Sequence, residues 1–124
     1  MQKLFLMIGS IAMALAVGLG AFGAHGLKEM LSDEMLDIFE TGIKYHFYHA
    51  IGLLIVGLVA QLIPHSSLLQ WSGWVMLAGI IIFSGSLYIL SVSGIRWMGA
   101  VTPIGGLCFI IAWIFLALAS WQNL

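Results

Sequence analysis

The stretch KYHFYHA, residues 44–50, sets two histidines three positions apart, His46 and His49, interleaved with Tyr45 and Tyr48. On a helix, imidazoles at i and i+3 share a side, so both can approach one metal ion or stand along one proton path. His25 could supply a third ligand to a metal or haem. No fourth is evident, and the methionines are explained by apolar packing, so no cofactor is expected. Arg96 is the one guanidinium and would serve as counter-charge in a polar vestibule that binds a small anion or passes protons. The structural alternative has the histidines bonded to backbone carbonyls or tyrosine hydroxyls, with Arg96 capping a helix or reaching lipid phosphates.

Other chemistry finds less support. Ser84 and Ser86 sit in FSGSLY, which lacks the strand-to-helix setting of a nucleophile elbow, so hydrolysis is not expected and the serines read as helix-packing residues. GLGAFG, residues 18–23, matches the dinucleotide fingerprint in letters only, because it closes an apolar run and follows no strand. A proton-coupled exporter of the small four-helix kind would want a carboxylate inside the membrane, and no apolar stretch holds Asp or Glu. The lone Cys108 can form no internal disulfide and reads as a small buried packing residue.

The elements that must position these groups are membrane spans. Only 7% of the residues are charged and 62% are hydrophobic, against about a quarter charged in a soluble domain. With four Lys plus Arg and a net charge of −1 there is no basic cluster for phosphates, which sets nucleic-acid binding aside. Four apolar stretches, 4–24, 46–63, 68–91 and 98–119, each approach the roughly 20 residues that cross a bilayer. The first is too long for the apolar region of a signal peptide, about 7 to 15 residues, and reads as a retained helix. The chain is therefore expected to be all-α, one transmembrane domain over 1–124, an integral membrane four-helix bundle in contact with the lipid bilayer.

The connection PHSS makes the second and third spans antiparallel neighbours. All five acidic residues fall between the first and second spans, where residues 29–44 pattern as an amphipathic helix, either lying at the interface or running into the second span through Gly42. On that wheel His46 and His49 fall away from the acidic arc, toward protein. Ala12, Ala16, Gly20 and Ala24 form a small-residue stripe on which a neighbouring helix can close. Thr102 either caps a helix that Pro103 opens, or Pro103 kinks a helix begun near Met98. Lys28, Lys44 and Arg96 against Lys3 place segments 25–45 and 92–97 in the cytoplasm and both termini outside.

GAFGAHGLK (20–28), TGIKYHFYHA (41–50), SGSLY (84–88) and GIRWMGAVTPIGG (94–106) together resemble the uncharacterised bacterial membrane-protein family called domain of unknown function 423. The likeness covers nearly the whole chain. It implies a small multi-pass protein of the bacterial cytoplasmic membrane and brings no activity with it. Its signature elements correspond to His25, His46, His49, Arg96, Thr102 and Pro103, and the candidate polar site is His25, His46, His49, Arg96 and Thr102. Small-residue interfaces suit a homo-oligomer or a membrane-protein partner. The expected role is a structural or accessory subunit of a membrane assembly. The alternatives are a transporter-like or channel-like oligomer with a His/Arg vestibule, or a metal- or haem-binding membrane protein.

Overall fold

Helix α1 (Gln2–His25) opens the computed structural model, which describes residues 1–124. A short turn leads to α2 (Asp33–Leu62), and residues 63–66 turn the chain into α3 (Ser67–Gly79). A π-helical turn, Ile80–Ser84, joins α3 to α4 (Gly85–Ser93), and a 3₁₀ segment, Arg96–Ala100, precedes α5 (Thr102–Asn123). Four segments are long and apolar enough to cross a membrane: Gln2–His25, Asp33–Leu62, Ser67–Ser93 and Arg96–Asn123. The all-α four-span architecture is thus the one the hydropathy pattern demands.

The amphipathic connection does not lie apart as an interfacial helix, because α2 runs unbroken through Gly42. At 30 residues it is about 45 Å long, against a hydrocarbon thickness of about 30 Å, so its acidic first turns project beyond the lipid. Ser32 caps it, its hydroxyl accepting from the Met35 N–H at 3.2 Å, with Asp33 and Glu34 in the first turn against the positive end of the helix dipole.

One open alternative is decided and one sequence expectation shifts. The fourth long helix starts at Thr102 rather than near Met98, with Pro103 in its first turn, where a missing N–H costs no hydrogen bond. Pro103 therefore opens α5 and does not kink it. On α1 the buried residues are Phe5, Gly9, Ala12, Ala16 and Gly23, while Ala24 is exposed. A strict four-residue stripe drifts by about 40° per step on a helix of 3.6 residues per turn, so the contact face returns to Gly23. Cys108 is only half-buried.

Helix α1 packs along α2, α2 packs against α3 and α4 as the antiparallel hairpin requires, and α5 packs along α3 and the π turn. The interior is divided lengthwise. The half near the 63–66 turn is built from Phe5, Leu53, Val56, Leu69, Met76 and Ala112 among others, with Ser72 as a buried polar residue among them. The half near the loop after α4 carries the polar interior: His46, His49, Ser84, Ser86 and Ser91 are all buried there.

At the π turn α5 comes close to the third span. A Cβ on Gly105 would stand 2.4 Å from the Phe83 backbone nitrogen and 2.7 Å from its Cα, so only glycine permits this approach. The extra residue in the turn also aims Ser84 at α2, where its hydroxyl donates to the Gly42 carbonyl at 2.7 Å. Helix α4 stops at Gly94, the one residue with positive φ (+77°), whose N–H returns to the Leu90 carbonyl at 2.8 Å.

Candidate functional site

The unbroken α2 carries both histidines inward, and each is only 5% exposed. Their ring nitrogens go to different helices. His46 Nδ1 lies 2.8 Å from the Tyr88 hydroxyl on α4. This imidazole therefore joins α2 to α4. Tyr88 is held in turn by Phe39, with ring centroids 5.1 Å apart.

His49 points to α5. Its Nδ1 lies 2.7 Å from the Tyr45 carbonyl one turn back, and the Trp113 indole N–H donates to its Nε2 at 3.0 Å. An indole nitrogen only donates and a carbonyl only accepts, so these two partners assign the tautomer: hydrogen on Nδ1, lone pair on Nε2. A proton or a metal ion on Nε2 would displace Trp113. The ring also lies flat on Phe109, centroids 3.5 Å apart and planes 8° from parallel.

The other candidate residues stand in separate contacts. Thr102, although it opens α5, does not cap it; its hydroxyl pairs with Ser86 Oγ at 2.5 Å and reaches the Met98 carbonyl at 3.4 Å. Arg96 Nη1 meets Glu34 Oε1 at 3.4 Å, with the two side chains 69% and 62% exposed. His25 is exposed at the end of α1. All five residues occupy the same half of the bundle, but no surface cleft is lined by more than one of them. No three His, Cys, Asp or Glu side chains gather closely enough to hold a metal ion.

Every buried side-chain polar atom has a partner. Besides the histidine pairs, Ser72 donates to the Ala112 carbonyl of α5 at 2.7 Å and Ser84 to the Gly42 carbonyl of α2. Chemically this arrangement cross-links helices through neutral groups. The partners that define it, Tyr88 and Trp113, carry no sequence signal that pairs them with histidines 42 and 64 positions away. The available clue is general: a Tyr O–H or Trp N–H buried in a span needs an acceptor.

The fold and its polar interior define a class, the small four-helix membrane proteins whose buried polar groups are spent between helices. Within it, the chain belongs to the family described as "Protein of unknown function (DUF423)", whose model matches residues 19–106. It is similar to a UPF0382 membrane protein of Bacillus subtilis (strain 168), 50% identical over 119 residues that cover 96% of this chain and 97% of the relative. A UPF0382 membrane protein of Staphylococcus haemolyticus is 43% identical over 121 residues, 98% of each chain. One from Staphylococcus aureus (strain USA300) is 48% identical over 121 residues, again 98% of each. No solved structure matches the chain. The matched segment contains His25, His46, His49, Arg96 and Thr102, and it ends before Trp113.

Proposed function

We propose that the protein is a structural or accessory subunit of an assembly in the bacterial cytoplasmic membrane, either self-associated or bound to another membrane protein. The observation that carries this reading is that every buried side-chain polar atom is paired, with His46, His49, Ser72, Ser84 and Ser86 bonded to a neighbouring helix, which uses the polar interior for rigidity and leaves no row of free groups leading across the bundle. Interhelical hydrogen bonds in membranes average about 0.6 kcal/mol and reach about 1.7, so several together hold a small bundle in one arrangement. Segments 25–45 and 92–97 face the cytoplasm, as the Lys28, Lys44 and Arg96 excess argues. The pairing of Arg96 with Glu34 supports a common face for these two segments.

The test is chemical cross-linking in native membranes, followed by mild-detergent extraction and separation under native conditions. A discrete species larger than the monomer, lost when the His46→Ala, His49→Ala double variant loosens the bundle, is the expected result. A monomer that cross-links to nothing, together with a double variant as stable as the parent, would overturn the subunit reading.

A further inference from the structure

Helix α2 passes the last turns of α1 at the level where α1 leaves the lipid. A Cβ on Gly20 would stand 3.5 Å from Ile43 Cγ2, and one on Gly23 would stand 2.6 Å from the Phe39 ring, so Gly20 and Ile43 share the deeper level and Gly23 and Phe39 the outer one. The α1 wall closes an apolar run that ends at Ala24, whereas the α2 wall belongs to the charged segment ahead of the span. Between the two walls lies a groove of about 180 Å³ whose lining includes Glu40 and Lys44. That volume is below the roughly 300–1,000 Å³ of sites that engulf a small molecule, so the groove takes one part of a larger molecule lying at the membrane surface.

The charges narrow what that molecule is. Glu40 and Lys44 stand one turn apart in the order that favours a helical pair, yet the chain's one ion pair is Arg96–Glu34, which leaves both without an ionic partner. Lys44 lies on the side of the span, and Glu40 is four residues farther from it, about 6 Å along the axis. A phospholipid head that carries an amine runs in the same order: the phosphate adjoins the chains, and the ammonium lies beyond it. Lys44 is thus level with the phosphate and Glu40 with the ammonium. Glu29, Asp33, Glu34 and Asp37 share this segment and disfavour a head of net negative charge. A quaternary ammonium has the right charge but no N–H to donate to a carboxylate, so a primary ammonium fits better.

We propose that the groove between the end of α1 and α2 binds an amine-bearing phospholipid, its phosphate on Lys44, its primary ammonium on Glu40, and the start of an acyl chain against Gly20 and Ile43. The inference goes beyond the subunit reading and does not depend on it. Gly20 provides a means of filling the groove, because a Cβ there makes only an ordinary contact with Ile43 and a longer side chain extends into the space without displacing the helices.

The experiment incubates purified full-length protein in detergent micelles with equal amounts of phosphatidylethanolamine, phosphatidylcholine and phosphatidylglycerol of identical acyl chains, and counts retained lipid by native mass spectrometry. The ethanolamine lipid is expected to exceed each of the others about two- to fivefold, the selectivity that a solvent-exposed ion pair supplies. Glu40→Gln should bring ethanolamine and choline lipids level, and Lys44→Gln should lower retention of all three, because the phosphate is common to them. Glu40→Lys combined with Lys44→Glu keeps the net charge but reverses the order, and should abolish the preference. Gly20→Leu should abolish it as well. Glu40 and Lys44 are exposed, so their variants leave the core untouched, and circular dichroism checks that all four variants are folded. Equal retention of ethanolamine and choline lipids by the parent would overturn the site. So would a preference that survives both Glu40→Gln and the charge exchange, since it would then belong to the surrounding lipid annulus. The oligomeric state that decides the subunit reading does not enter this readout.

Discussion

Gly105 and Gly106 are adjacent in α5, and replacing each with alanine isolates the contact that sets the π turn against the helix. In a helix interior, alanine is favoured over glycine by roughly 0.5–1 kcal/mol, and this gain is common to both variants. At Gly106 nothing opposes it, since the new methyl meets only the edge of the Phe83 ring at 3.8 Å. At Gly105 the methyl would stand 2.4 Å from the Phe83 nitrogen and 2.7 Å from its Cα. Backbone cannot rotate aside as a side chain can, so α5 or the π turn must move. Overpacking of this kind costs about 1–3 kcal/mol. Because the propensity gain cancels in the comparison, the gap between the two variants is the clash alone, about 1–3 kcal/mol, with Gly105→Ala the less stable. Equilibrium unfolding in mixed micelles with increasing dodecyl sulfate, followed by far-ultraviolet circular dichroism, measures it. Equal stabilities, or Gly105→Ala the more stable, would refute the close approach and with it the account of why the π turn sits where it does.

Removing the indole donor by Trp113→Phe leaves His49 Nε2 without its partner, and the same unfolding assay should register a loss of about 1–2 kcal/mol. In a cycle with His49→Leu the two changes should couple by about 1 kcal/mol, and strict additivity would argue that the bridge contributes nothing. The Ser86–Thr102 pair should give a coupling near 0.6 and no more than about 1.7 kcal/mol when Ser86→Ala is combined with Thr102→Val. Arg96→Ala should change stability by less than about 0.5 kcal/mol, since its ion pair with Glu34 is open to solvent; a large loss would mean the pair is shielded in the membrane. Alkaline phosphatase fused after Leu124 should be active and a fluorescent protein at the same point dark, whereas the reverse would invert the orientation.

Several features of this protein were decided by local sequence. Four apolar runs in a chain with 7% charged residues allow only helices in lipid, because backbone groups there must be satisfied within each segment. The inward side of His46 and His49 follows from their angle to the acidic arc, and the α2–α3 hairpin follows from its short turn. Lateral packing decided the rest. The π turn has no local signal, since it arises where Gly105 and Phe83 approach and where Ser84 reaches Gly42. The start of α5 at Thr102 was open on local grounds, and there the Thr102 hydroxyl is turned to Ser86 on α4. Most consequentially, His46 and His49 share one face of one helix yet serve different neighbours, Tyr88 on α4 and Trp113 on α5. Helical periodicity determines which way a side chain faces, but it carries no term for which other helix stands there. Only the packed bundle supplies that partner, and with it the hydrogen-bonding role of each ring.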